Sequence, residues 1–202
     1  AREKLHTKSG DWATEFKHLT QRKELYQDRF IILSNGPYSG VAATTLGLPD
    51  DEWNRLSLDI RLHHESAHYV TKRLFGVMRN NLLDELIADY MGIIGAIGSY
   101  RADWFLYFMG LEHHPTYRHG GRLEHYRGDP PLSNTAFTLL QSLAKAAAEN
   151  LERANSFLES HQHTVSGRGL IISTLACLTI EELAANDAPV RLKQIIKANE
   201  HC

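Results

Sequence analysis

Residues 53–74 read WNRLSLDIRLHHESAHYVTKRL. Trp53, Leu56, Ile60, Ala67, Val70 and Leu74 fall along one helical face, at the period that makes a continuous apolar stripe. The stripe predicts a helix that opens after Pro49, with Asp50 or Asp51 as N-cap and Glu52 in its first turn. It runs to about Phe75 and stops at Gly76. No other stretch carries a strand signal of comparable strength, so the expected class is mainly α. The expectation is a single compact helical domain over 1–202, with at most a small β element near residues 30–45.

Working outward, 11–29 places Trp12, Phe16, Leu19 and Tyr26 on one helical face. FIIL (30–33) and VAATT (41–45) are short strand candidates on either side of the turn-rich SNGPYSG (34–40). A second helix fits 80–98, where Gly92, Gly95 and Gly98 would let another backbone come close. RADWFLYFM (101–109) reads as a buried helix, and 110–131 as a long loop carrying His113, His114, His119 and His125. Amphipathic helices follow at 133–160, 169–186 and 189–199, the last opened by Pro189. The metal-binding helix pair thus spans about 51–98, and the C-terminal helices about 132–200.

Bulk properties narrow the function. Of 202 residues, 43% are apolar and 23% charged, ordinary for a globular protein. A net charge of -2 gives no electrostatic reason to expect nucleic acid or an anionic membrane as partner. No apolar run is long enough to span a bilayer, and the polar N-terminus lacks the middle region of a secretion signal. Two cysteines, Cys177 and Cys202, imply no disulfide framework, so a cytoplasmic setting is expected. The 12 histidines raise the prior for metal chemistry.

Within the opening stretch, His64-Glu65-Ser66-Ala67-His68 fits H-E-x-x-H. The product of the residue frequencies gives about 0.05 chance matches in such a chain, so the motif needs support from elsewhere. Four residues apart on a helix, His64 and His68 point the same way and can share one ion. Glu65 is turned about 100° from His64, beside the ion, where it can take a proton from metal-bound water. A catalytic zinc needs a third protein ligand and one open position. Glu85 on the next helix would complete a two-His, one-carboxylate site, and Asp89 would accept the second N–H of a ligand histidine. The tetrahedral oxyanion of a hydrolysis needs a further donor. His119 or Tyr117, from the 113–126 loop, is the expected one. His63 projects onto the apolar stripe itself and is expected to be a hydrogen-bonded core residue.

H-E-x-x-H followed by E-x-x-x-D on the next helix resembles the gluzincins, the thermolysin-like branch of zinc metallopeptidases. The resemblance covers about residues 53–95. It implies Zn2+ on His64, His68 and Glu85, Glu65 as general base, and Asp89 behind a ligand histidine. Gluzincins also hold an extended peptide along a sheet edge, for which this sequence offers only 30–33 and 41–45. The expected function is therefore a zinc-dependent hydrolase, metallopeptidase-like, acting on a peptide or a small molecule. Two alternatives stay open: a helical-bundle di-iron protein using Glu65-x-x-His68 as a ligand pair, and a non-catalytic helical interaction module.

Overall fold

The computed structural model describes residues 12–21, 30–76 and 81–199. The chain divides into two compact units, Ala1–Ile32 and Leu33–Cys202. In the first lies helix α1 (Trp12–Gln21), on which Phe16 is exposed. The expected continuation to residue 29, with Tyr26, lies outside the described residues, as does the side chain of Leu19.

The second unit is built from seven helices among its described residues: α2 (Asp50–Phe75), α3 (Asn81–Ile97), α4 (Ala102–Met109), α5 (Asn134–Leu158), α6 (Val165–Ala176), α7 (Ile180–Ala184) and α8 (Ala188–Asn199). The mainly α class holds. The stripe that set it is buried at Trp53, Leu56, Ile60 and Ala67, and reaches the surface at Leu74. Helix α2 starts one residue earlier than a side-chain cap would allow. Pro49 stands at the N-cap position, with no capping side chain, and Asp50, Asp51 and Glu52 fill the first turn, where negative charge suits the dipole. Gly76, at φ 76°, closes the helix by donating its N–H to the Lys72 carbonyl.

Neither expected strand forms. Residues 30–33 have no regular structure, and 43–46 make a 3-10 turn (Ala43–Leu46) after a shorter one at Tyr38–Gly40. A strand needs a ladder partner, and the carbonyl of Val41 is instead taken by the Trp53 indole N–H at 2.7 Å. The expected helix over 169–186 is two helices. Thr164 caps the first by accepting the Gly167 N–H, which moves its start back to Val165. A reciprocal capping box, Thr179 with Glu182, begins the second after Cys177 and Leu178.

Helices α2 and α3 pack against each other along their length, and α5 packs on α4, α7 and α8. Trp53, Phe105, Phe108, Ile87, Leu123 and Leu151 are among the fully buried side chains between them. Each such burial contributes about 1.5–3 kcal/mol. Gly92 explains how closely α2 and α3 approach: a Cβ there would stand 2.9 Å from the Ile60 carbonyl oxygen. That contact brings the histidine face of α2 against the carboxylate face of α3.

Candidate metal centre

The two helices run antiparallel, since His68 meets Asp84 and Glu85 while His64, one turn earlier, meets Asp89, one turn later. His64 Nε2 and His68 Nε2 are 3.0 Å apart. The Glu85 carboxylate stands 3.2 Å from His68 Nε2 and 3.8 Å from His64 Nε2. Among the described residues, His64, His68 and Glu85 are the three whose donor atoms all lie within 4.8 Å of one another.

What surrounds the three groups fixes their chemistry. Asp89 is fully buried and accepts the Tyr38 hydroxyl at 2.7 Å, leaving the Tyr38 oxygen free to accept. His64 Nδ1 lies 3.0 Å from the same carboxylate oxygen and 2.8 Å from the Tyr38 oxygen. Both neighbours accept there, so Nδ1 carries the proton and the Nε2 lone pair faces His68 and Glu85. His68 repeats the arrangement: its Nδ1 donates to Asp84 at 2.8 Å, and its Nε2 faces inward. Each of the two histidines thus has a carboxylate of its own behind it, which orients the ring and raises its basicity.

Arg122, from the 3-10 turn Arg122–Tyr126, balances the buried acids. It bonds Asp89 and donates to the Tyr38 oxygen at 3.2 Å and to Ser39 Oγ at 3.1 Å, with Glu85 at 3.5 Å. Ser39 adopts φ 51°, a left-handed conformation that costs a non-glycine residue about 1 kcal/mol or more. The turn thereby presents Tyr38 and Ser39 together to Arg122. Phe108 holds the Tyr38 ring edge-on at 4.8 Å.

Burial alone would raise Asp89, but the Arg122 charge and the bonds from His64 and Tyr38 hold it below the usual carboxylate range. Glu85 is likewise held down, burial being outweighed by the His68 bond and by Arg122. The Tyr126 phenol is pushed up by burial and by the nearby Glu85 charge.

Two imidazole lone pairs and a carboxylate pointing at one another repel unless a cation lies among them. The set fits a divalent metal taking nitrogen and oxygen ligands, with Zn2+ as the ion of the resemblance. In the metal-free protein a proton does the same work. Burial would lower His68, but Asp84 and Glu85 outweigh it and bring its pKa to about 10.

The other expected residues are placed as follows. Glu65 is exposed on α2, next to the cluster in sequence and in no ion pair among the described residues. His119 is exposed and paired with Glu124 at 2.8 Å. The Tyr117 hydroxyl donates to the Gly121 carbonyl at 2.7 Å, with its ring against Phe137. Neither is brought to the cluster; from the same loop, Arg122 reaches Asp89 and Glu85, and Tyr126 feels the Glu85 charge. His63 is half-buried against Gly95 and lines a cavity, and the hydrogen bond expected of it is not made among the described residues. Asp84 was within reach of the sequence, because two histidines with fixed tautomers call for two acceptors. Arg122 and Tyr38 carry no local signal, except that a buried Asp89 demands a cation.

Residues 1–187 match the Family of unknown function (DUF7005), to which the chain therefore belongs. No curated protein and no solved structure matches it.

Proposed function

We propose that this member of the family is a zinc-dependent hydrolase whose centre is formed by His64, His68 and Glu85. The observation that carries the reading is the convergence of two Nδ1-anchored imidazoles and one carboxylate within 4.8 Å. When bound there, zinc would supply a water acidified to about pKa 7 and a Lewis acid for a carbonyl oxygen. The protein's part is to hold and move protons around that point. Asp89 and Asp84 keep the Nδ1 protons on His64 and His68, so both rings present unprotonated Nε2 atoms. Glu65, one residue from His64 and open to solvent, accepts the proton of the attacking water and returns it to the leaving group. Tyr126, beside Glu85, is the hydroxyl best situated to donate to a developing oxyanion. Arg122 keeps the centre from accumulating uncompensated negative charge.

The di-iron reading draws no comparable support, because Glu65 stands outside the ligand set of the described residues. The substrate is a carbonyl compound, peptide or small molecule; residues 30–33 and 41–45 offer no sheet edge for an extended peptide.

Elemental analysis of the purified chain, followed by chelation and readdition of zinc, tests the centre. One equivalent of metal is expected, and Glu85→Ala should lose it. Hydrolysis of a panel of ester and amide substrates should disappear in Glu65→Gln while its metal content is unchanged. Stoichiometric metal missing from wild type, or hydrolysis indifferent to chelators, would overturn the reading.

A further inference from the structure

A second site lies on another face of the same helix. Adjacent residues of an α-helix diverge by about 100°, so His63 points away from the metal ligands, toward α6. There it lines two adjoining cavities of about 250 and 450 Å³, which share His63, Met91 and Arg168. The larger is walled by Ala67, Val70, Leu74, Met91 and Ile172, and Val165 stands 90% exposed at its edge. Apolar side chains left open beside a concavity mark a binding surface rather than ordinary exposure. From His63 to Leu74 the wall follows α2 for about 16 Å at the helical rise.

The smaller cavity is polar where the larger is not. Arg168 donates its Nε to the Gln162 carbonyl at 2.9 Å, and no carboxylate pairs with its guanidinium among the described residues. Gln162 is 8% exposed and its amide orientation is fixed, since Nε2 donates to the Gly98 carbonyl at 2.6 Å. Its Oε1 is buried with no donor. A buried acceptor left unsatisfied is destabilising, and an unpaired half-buried guanidinium favours an anion. The two cavities together call for an anion, an adjacent N–H and a long apolar tail.

We propose that this α2–α3–α6 pocket binds an N-acyl amino acid, with its carboxylate on Arg168, its amide N–H on Gln162 Oε1 and its acyl chain along Ala67, Val70, Leu74 and Ile172. The site is separate from the metal centre and independent of the hydrolase reading. A bound acyl chain would cover Val165 and Leu74 and withdraw apolar surface from water.

Titration calorimetry of the full chain with N-dodecanoylglycine, below its micellar concentration, tests this. Saturable one-to-one binding is expected. N-acetylglycine, which lacks the tail, and N-dodecanoylglycine methyl ester, which lacks the anion, should each bind at least about tenfold more weakly. Dodecanoic acid, lacking the N–H, should be weakened by several-fold. Arg168→Gln should reproduce the ester's loss, and Val70→Asp the loss of the tail, with far-UV circular dichroism and metal content unchanged in both. Should either variant misfold, the ligand series on wild type decides alone. Absence of saturable binding would overturn the proposal, and so would equal affinity for the ester and the acid, or undiminished binding by a folded Arg168→Gln.

Discussion

Replacing Arg122 with methionine removes the one guanidinium that reaches Asp89, Tyr38 and Ser39 at once. The Asp89 side chain is 0% exposed and the Arg122 side chain 18%, so the pair is inside the protein. Truncating one partner of such a pair leaves an uncompensated buried charge and costs about 3–5 kcal/mol, against about 0–1 for a surface pair. For a unit of this size each kcal/mol lowers Tm by about 2–4 °C, so a fall of roughly 6–20 °C is expected. Asp89 can escape part of that penalty by taking up a proton, since burial raises a carboxyl that has lost its cation. A protonated Asp89 supports the His64 Nδ1–H less well, and the loss of such a supporting group weakens metal affinity by about 10- to 100-fold. Calorimetric unfolding with and without zinc reads the first effect, and competition against a chelator of known affinity reads the second. The double variant Arg122→Met, Asp89→Asn removes both charges and should lose at least about 1 kcal/mol less than the two single losses summed. A single variant within about 1 kcal/mol of wild type, or strict additivity in the cycle, would refute the claim that Arg122 compensates the buried acids.

Other expectations separate the parts of the fold. Gly92→Ala should destabilise by about 1–3 kcal/mol, because its Cβ would meet the Ile60 backbone oxygen at 2.9 Å and force the helices apart. Gly95→Ala should cost less in denaturant melts despite a nominal 2.2 Å contact, since the clash is with a His63 ring that can swing away; the reverse order would contradict this packing. Metal-free protein should lose stability as pH rises from about 7 to 10. His68, although lowered by burial, is lifted by Asp84 and Glu85 to about 10, so its contribution is complete below the unfolded pKa of about 6.5 and vanishes through pH 10. Urea midpoints of chelator-treated protein would show it, and a flat or rising profile would count against it. Tyr126→Phe should lower turnover with zinc retained, whereas His119→Ala should leave both unchanged, as measured by initial rates and metal content on the same preparations.

Much of the helical frame was legible because its signals are local. The Trp53–Ala67 stripe, Gly76 and the three- and four-residue spacing of α5 each announce an element from within a few turns. The helix break at Cys177–Leu178 was announced as well, by Thr179-x-x-Glu182, but the apolar run around it masked the box. Residues 41–45 misled for the opposite reason. Val41, Thr44 and Thr45 have the β-branched character of a strand, yet strand formation depends on a partner the local sequence does not mention. The pairing of His64 with His68 could be read because helical period turns a spacing of four into a shared direction. Arg122 and Tyr38 could not, because they meet Asp89 across chain separations no periodicity spans.

That difference bears on how the centre is held. On α3, Asp84 and Asp89 lie one residue before Glu85 and four after it, and antiparallel packing sets each opposite a different histidine of α2. Two helices alone therefore supply the three candidate ligands and both Nδ1 acceptors. They also bring three carboxylates and only imidazole to meet them, which in a buried site is a charge excess until a metal or a proton enters. The excess falls mainly on Asp89, the most deeply buried of the three, and it is Asp89 that Arg122 reaches. Asp84 lies nearer solvent, at 21% side-chain exposure, and is held down by His68 and Thr71 rather than by a guanidinium. The loop bearing Arg122 is thus tied to the helix pair by the electrostatic demand of the site. Tyr126 ends the same 3-10 segment, so that demand also fixes its place near the Glu85 charge.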